Sequence, residues 1–170
     1  MTIFLCGFMG CGKTTAGRIT ARKLGLRYAD TDEIIVKAQG MTIPEIFEKK
    51  GERFFRDIEA ETVRELCGKK LVVSCGGGAM LNSETAQYAL SHGIVVFLDV
   101  PFETCYNRIK NDRNRPIAAA STRDELLERF EQRHLIYLNN STVRVIGLGS
   151  PNENAQAIID AVKGVRNADI

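Results

Sequence analysis

The sequence predicts an α/β fold in three layers, a five-stranded parallel sheet covered by helices on both faces. Three observations predict it. Short apolar runs alternate with helical patterns along the whole chain. Most of those runs are continuously apolar, as strands buried on both faces are, and do not alternate apolar with polar. A glycine-rich loop joins the first run to the first helix, the context in which such a loop holds phosphate. At 170 residues, with no repeat, linker or low-complexity segment, residues 1–170 are expected to form one domain.

The first strand is Ile3-Phe4-Leu5-Cys6. It runs into G-F-M-G-C-G-K-T-T at residues 7–15, which contains the pattern G-x-x-x-x-G-K-T. Ala16, Ile19 and Leu24 give the next helix its apolar face, and Gly25 closes it. A second strand leads into Tyr28-Ala29-Asp30-Thr31-Asp32-Glu33, followed by a helical run to Gln39. Thr42-Ile43-Pro44-Glu45 is a capping box with proline in the first turn, opening a short helix that ends near Gly51. The helix after it is striped by Phe55, Ile58, Thr62 and Leu66.

Leu71 to Cys75 form the third strand and pass straight into Gly76-Gly77-Gly78. A helix capped at Asn82 or Ser83 ends near His92-Gly93, and Ile94 to Leu98 form a strand ending at Asp99. Pro101 opens another helix. Residues 111–121 have no periodicity, the mark of a lid in a small domain. Thr122-Arg123-Asp124-Glu125 is a second capping box, on a helix reaching about Tyr137. Val143 to Ile146 make the fifth strand, and Ser150-Pro151-Asn152-Glu153 cap the last helix, with Ala157, Ile158, Ala161 and Val162 facing inward.

Composition excludes several classes. A net charge of +2, with no run of like charges, argues against nucleic acid as a partner. No apolar run approaches the ~18 residues of a membrane span. Five cysteines without a C-x-x-C pair indicate neither a disulfide framework nor a zinc site. No basic and then apolar leader opens the chain, so a cytoplasmic location with reduced thiols is expected.

The loop at residues 7–15 is an anion cradle. Glycines turn backbone N–H groups inward and the helix behind presents free donors and a positive dipole end. Lys13 adds a charge for the outer phosphates and the Thr14 hydroxyl can reach Mg²⁺. In an open parallel sheet the ligand lies at the carboxyl ends of the strands, where Asp30, Asp32 and Gly76 to Gly78 also fall. One of the two aspartates can cap the helix, leaving the other to order water round a metal or accept a hydroxyl proton. Asp99 has the look of a metal-binding aspartate after an apolar strand, but it reads better as a strand end before Pro101. Arg56 has Glu59 one turn on, placed to orient it. Arg115 sits in the aperiodic segment and Arg133 on the helix after it. His92 and His134 read as surface or helix-end residues. Cys11, inside the cradle beside Lys13 at a helix start, is expected to be sensitive to oxidation.

Taken together, G-F-M-G-C-G-K-T-T, D-T-D at 30–32, F-F-R-D-I-E at 54–59, G-G-G at 76–78, N-R-P at 114–116 and Q-R-H-L-I-Y at 132–137 resemble shikimate kinase. This is a family of P-loop kinases related to the nucleoside monophosphate kinases, and the resemblance spans essentially the whole chain. It implies a P-loop kinase fold with a substrate-binding helical region at about 32–62 and a mobile lid at about 111–122. It implies ATP-dependent, Mg²⁺-assisted phosphorylation of the 3-hydroxyl of shikimate by a monomer with ATP and shikimate as its partners. By resemblance, Arg56 and Arg133 hold the substrate carboxylate with Glu59 behind them, Asp32 binds substrate hydroxyls and serves as base, and Gly77 and Gly78 donate N–H groups. Lys13 and Arg115 stabilise the moving phosphoryl group. Gly10, Cys11, Gly12, Lys13, Thr14, Thr15, Arg108, Arg115 and Pro151 contact ATP. Thr14 ligates Mg²⁺, with Asp30 and Ser74 acting through water.

The chain departs from the family pattern at Ile117 and the three alanines after it, and at Leu135, where the R-x-P-L-Y motif would have proline. The other readings open at this stage are a small P-loop kinase acting on gluconate or a nucleoside monophosphate, and an inactive nucleotide-binding regulatory module.

Overall fold

In the computed structural model, which describes residues 1–111 and 120–168, β1 (Thr2–Cys6) is buried at every position. It lies in the middle of a parallel sheet of order β2-β3-β1-β4-β5. The partners are β2 (Arg27–Asp30), β3 (Leu71–Ser74), β4 (Gly93–Asp99) and β5 (Val143–Ile146). Ile3 pairs with Val72 on one side and with Ile94 on the other. Apolar runs without alternation therefore sit where both faces are covered, as their composition requires. The edge strand β5 alternates buried Val145 with exposed Arg144 and Ile146.

Helices α1 (Lys13–Leu24) and α7 (Pro151–Ala168) pack on each other and over the sheet. A second group contains α3 (Ile43–Leu66) and α4 (Ser83–His92), the latter lying on β4. Between them in the chain come α2 (Thr31–Gln39), α5 (Phe102–Ile109) and α6 (Arg123–Asn139). A 3₁₀ turn, Ala79–Leu81, follows β3.

The helix boundaries follow the chemistry of their caps. Both expected capping boxes form: Thr42 and Thr122 each accept from the backbone three residues on, while Glu45 and Glu125 reach back. Asp30 caps α2, accepting from the backbone N–H of Asp32 and Glu33. The break expected near Gly51 is a kink at φ 84° and ψ 163° within α3. The helix after the second capping box runs to Asn139, slightly beyond the expected end.

The main core contains β1, β3 and β4 with Phe8, Met9 and Cys11 of the glycine loop. A separate small cluster of Ile35, Ile46 and Phe55 holds α2 to α3. Among the described residues no helix is long and apolar enough to cross a membrane. Arg115, Pro116, Ile117 and most of the expected lid lie outside the described residues.

Candidate active site

The carboxyl ends of β1, β2 and β3 converge on a cleft of about 210 Å³. Met9, Gly10, Gly12, Lys13, Thr14 and Thr15 line one side. Asp30, Asp32, Cys75, Gly76 and Gly77 line the other, and Arg108 and Ile109 of α5 complete it. Strand ends are where an open parallel sheet leaves unpaired backbone groups facing a ligand.

The loop side is shaped by backbone. Gly10 has φ 80°, and a Cβ there would lie 2.7 Å from the Cys105 carbonyl oxygen, so only glycine fits this turn against α5. Gly12 is the N-cap of α1, so the first-turn N–H groups of that helix face the cleft. Lys13 Nζ donates to the carbonyls of Gly7 (2.8 Å) and Phe8 (3.1 Å), which holds the ammonium across the loop. Arg108 Nη1 donates to the Gly10 carbonyl at 2.9 Å and so lies over the same loop. Pro151 is the first residue of α7 and does not line the cleft.

The Thr14 hydroxyl is 3.2 Å from Asp30 Oδ2, and the Tyr28 hydroxyl donates to the same oxygen at 3.2 Å. Burial pushes the Tyr28 phenol up to about 12, which keeps it a donor. Asp30 therefore serves as helix cap through one oxygen and as partner of Thr14 and Tyr28 through the other. Ser74, the last residue of β3, is buried beside Gly17. Among the described residues no three His, Cys, Asp or Glu groups are arranged as a metal cage. A hydroxyl and a carboxylate side by side do suit a hard cation that keeps most of its ligands as water and phosphate, as Mg²⁺ does.

The far side of the cleft is shaped by charge. Asp32 and Glu59 flank Gly76, each with a carboxylate oxygen 2.6 Å from where a Cβ on Gly76 would sit. Glu59 is buried and binds Arg56 at 2.7 Å, while Glu52 binds the same guanidinium at 3.1 Å. Burial pushes the Glu59 carboxyl up to about 7, against the pull of Arg56. Loss of solvent draws Arg56 down, but Glu59 and Glu52 outweigh it and leave the guanidinium above its ordinary value. Arg56 packs directly on Gly78, leaving no room for a side chain there. Arg133 approaches Gly77 from α6. Of the acceptor-side residues expected from the resemblance, Asp32 and Gly77 line the cleft, and Arg56, Glu59, Gly78 and Arg133 lie at or against the Gly76 to Gly78 loop without lining it.

Two expectations are corrected. Cys11 is 1% exposed, its side chain tucked inward by the turn of the loop, so it does not present an accessible thiol. His134 is half-buried and is not a surface residue: its Nε2 lies 3.0 Å from Asp99 Oδ2, and its ring packs on Phe97 and Phe130. Asp99 also binds Arg144 at 2.6 Å, which commits its carboxylate and supports reading it as a strand end. His92 does stand at a helix end, bonded to the Tyr88 carbonyl. The sequence reading missed Tyr28 on Asp30 and Thr31, whose hydroxyl accepts from Gly76 N at 2.8 Å. It also missed a role for Tyr137, which donates to the Gly77 carbonyl.

Comparison with known proteins bears on this geometry. A family model described as shikimate kinase matches residues 9–163. The shikimate kinase of Aquifex aeolicus (strain VF5) is 39% identical over 165 residues, covering 96% of this chain and 97% of that protein. Shikimate kinase from Acinetobacter baumannii, solved in complex with shikimate, superposes with a TM-score of 0.90 at 35% identity, covering 96% and 93% of the two chains. A gluconokinase from Sinorhizobium meliloti 1021 has a TM-score of 0.56 at 15% identity and shares the fold alone. A glycine loop of the phosphate-binding pattern facing a carboxylate and two half-buried arginines, on a chain matched over nearly its whole length, leads to one assignment. This chain is a kinase with an alcohol group as acceptor and belongs to the shikimate kinase family.

Proposed function

We propose that this chain transfers the γ-phosphoryl group of ATP to the 3-hydroxyl of shikimate, giving shikimate 3-phosphate and ADP, with Mg²⁺ bound beside Thr14. The observation that carries the reading is the charge arrangement round Gly76: Asp32 and Glu59 on its two flanks, with Arg56 held against Gly78. A substrate with one carboxylate and several hydroxyls needs a planar cation for the first and an acceptor for the second. Both stand opposite the phosphate loop.

In this reading Arg56 and Arg133 bind the carboxylate, and Glu59 keeps the Arg56 fork aimed. Gly77 and Gly78 offer backbone N–H groups. Asp32 accepts the 3-hydroxyl proton while the new oxygen–phosphorus bond forms and the bond to the β–γ bridging oxygen breaks. Lys13 leaves the Gly7 and Phe8 carbonyls to neutralise charge on the phosphoryl oxygens, joined by Arg115. Gly10, Cys11, Gly12 and Thr15 supply loop N–H groups, and Arg108 and Pro151 border the base. Thr14 would be the direct ligand of Mg²⁺, with Asp30 and Ser74 holding its water, and the ion when bound would neutralise phosphate charge. The rate gain then comes from position and preorganised charge, with no covalent intermediate. The protein works as a cytoplasmic monomer, one domain whose lid is residues 111–122, in aromatic amino acid biosynthesis.

A coupled ADP-release assay with shikimate, gluconate, AMP and CMP tests the reading. Turnover with shikimate alone is expected. Turnover with another acceptor, or ATP binding without transfer to shikimate, would overturn it.

A further inference from the structure

The glycine loop after β3 spends its own hydrogen bonds selectively. The Gly76 and Gly78 carbonyls accept from Ala79 N (3.2 Å) and Leu81 N (3.0 Å) within the turn. The Gly77 and Met80 carbonyls instead point to α6. The Tyr137 hydroxyl donates to Gly77 O, and Asn140 Nδ2 donates to Met80 O at 2.9 Å. Tyr137 is 1% exposed, and its ring lies 5.4 Å from that of Phe97, so the hydroxyl is delivered by a packed ring. Burial raises the Tyr137 phenol well above its ordinary range, so the group remains a donor.

A peptide unit is planar and trans, so its C=O and N–H point in opposite directions. The Gly77 carbonyl and the Gly78 N–H belong to one such unit. Holding the carbonyl against Tyr137 turns the Gly78 N–H the other way, away from Tyr137. Arg133 stands one helical turn before Tyr137 on α6 and approaches Gly77. The same helix therefore sets both the guanidinium and the orientation of the peptide beside it.

We infer that Tyr137 and Asn140 are positioning residues that fix the peptide plane between Gly77 and Gly78 in register with Arg133, and so set affinity for the acceptor but not for the nucleotide. This rests on the assignment of shikimate as acceptor. Tyr137→Phe keeps the ring and removes the donor, leaving a part-buried carbonyl without this partner. The expected result is a roughly five- to tenfold rise in KM for shikimate. KM for ATP and kcat should stay within about twofold of wild type, on the same mutational scale. Asn140→Ala should move KM for shikimate in the same direction by about two- to threefold, and it decides the question if Tyr137→Phe does not fold. An unchanged KM for shikimate in the folded variants, or equal rises for both substrates, overturns the inference. Wild type is assayed alongside. If it fails to phosphorylate shikimate, the acceptor assignment falls and the inference with it. If it succeeds and the variants match it, the inference alone falls.

Discussion

The glycine loop and the proposed acceptor side face each other across one cleft, yet they are built differently. The loop is a contiguous run between β1 and α1, rests on the main core through Phe8, Met9 and Cys11, and presents mostly backbone. The acceptor side draws Asp32 from α2, Arg56 and Glu59 from α3, Gly76 to Gly78 from the end of β3 and Arg133 from α6. Its helices α2 and α3 are held by a small cluster of their own, Ile35, Ile46 and Phe55. The difference teaches where each half is vulnerable. A cradle of N–H groups is disturbed by forcing its backbone, whereas an assembled pocket is disturbed by removing one charge or one donor from a distant element.

The largest effects should come from single groups that serve the transfer itself. Lys13→Met should lower kcat by roughly 10²- to 10³-fold or more, and Asp32→Asn by a similar order, with circular dichroism unchanged. The two separate in binding. Isothermal titration should find ATP affinity reduced for Lys13→Met and nearly normal for Asp32→Asn. Loss of ATP binding in Asp32→Asn would break the division into two halves.

A matched pair of glycine substitutions probes backbone against side chain. Gly10→Ala forces a Cβ onto the Cys105 carbonyl at positive φ, so KM for ATP should rise about tenfold and stability fall by about 1–2 kcal/mol. At Gly77 a Cβ would meet nothing closer than 3.8 Å, and alanine keeps the N–H. Gly77→Ala should therefore change stability by less than about 0.5 kcal/mol. Thermal melts and initial rates measure both. An equal penalty at the two positions would contradict the contrast.

The last effect is a pH dependence and concerns Glu59. Its carboxyl is raised from 4.5 to about 7 in the folded protein, so the folded state holds a proton that the unfolded state has lost between those values. Stability attributable to this group is full below about 4.5 and is lost as pH rises through about 7. The stability of wild type relative to Glu59→Gln should fall across that window, by something on the order of 3 kcal/mol. Urea melts at pH 4.5, 6 and 8 measure it, and a flat or rising difference would show that Arg56 holds Glu59 ionised throughout.

These two plans also explain what could be read from sequence. The loop was legible because its chemistry is contiguous: glycine, lysine and threonine at fixed spacing between a strand and a helix. The capping boxes at Thr42 and Thr122 were legible for the same reason, and so was Arg56 with Glu59 three residues on. The choice of Asp30 over Asp32 and of Asn82 over Ser83 as caps came from the structure. Contacts between distant segments were not. Tyr137 meets Gly77 across 60 residues and Thr31 meets Gly76 across 45, and no periodicity encodes either meeting. His134 was misread because a polar residue on a helix defaults to solvent until the element packed against it is known. Here that element is the end of β4, with Asp99. Cys11 was misread because spacing placed it in the cradle without saying which way the turn points its side chain.

The central claim is that the acceptor is chosen by its carboxylate through Arg56. Pairing the substrate with its neutral carboxamide tests it most directly, because shape is kept and charge removed. Wild type should favour the acid over the amide by about 10²-fold in kcat/KM, and Arg56→Ala should reduce that preference to about tenfold or less, the remainder resting on Arg133. A preference left intact in Arg56→Ala would contradict the account.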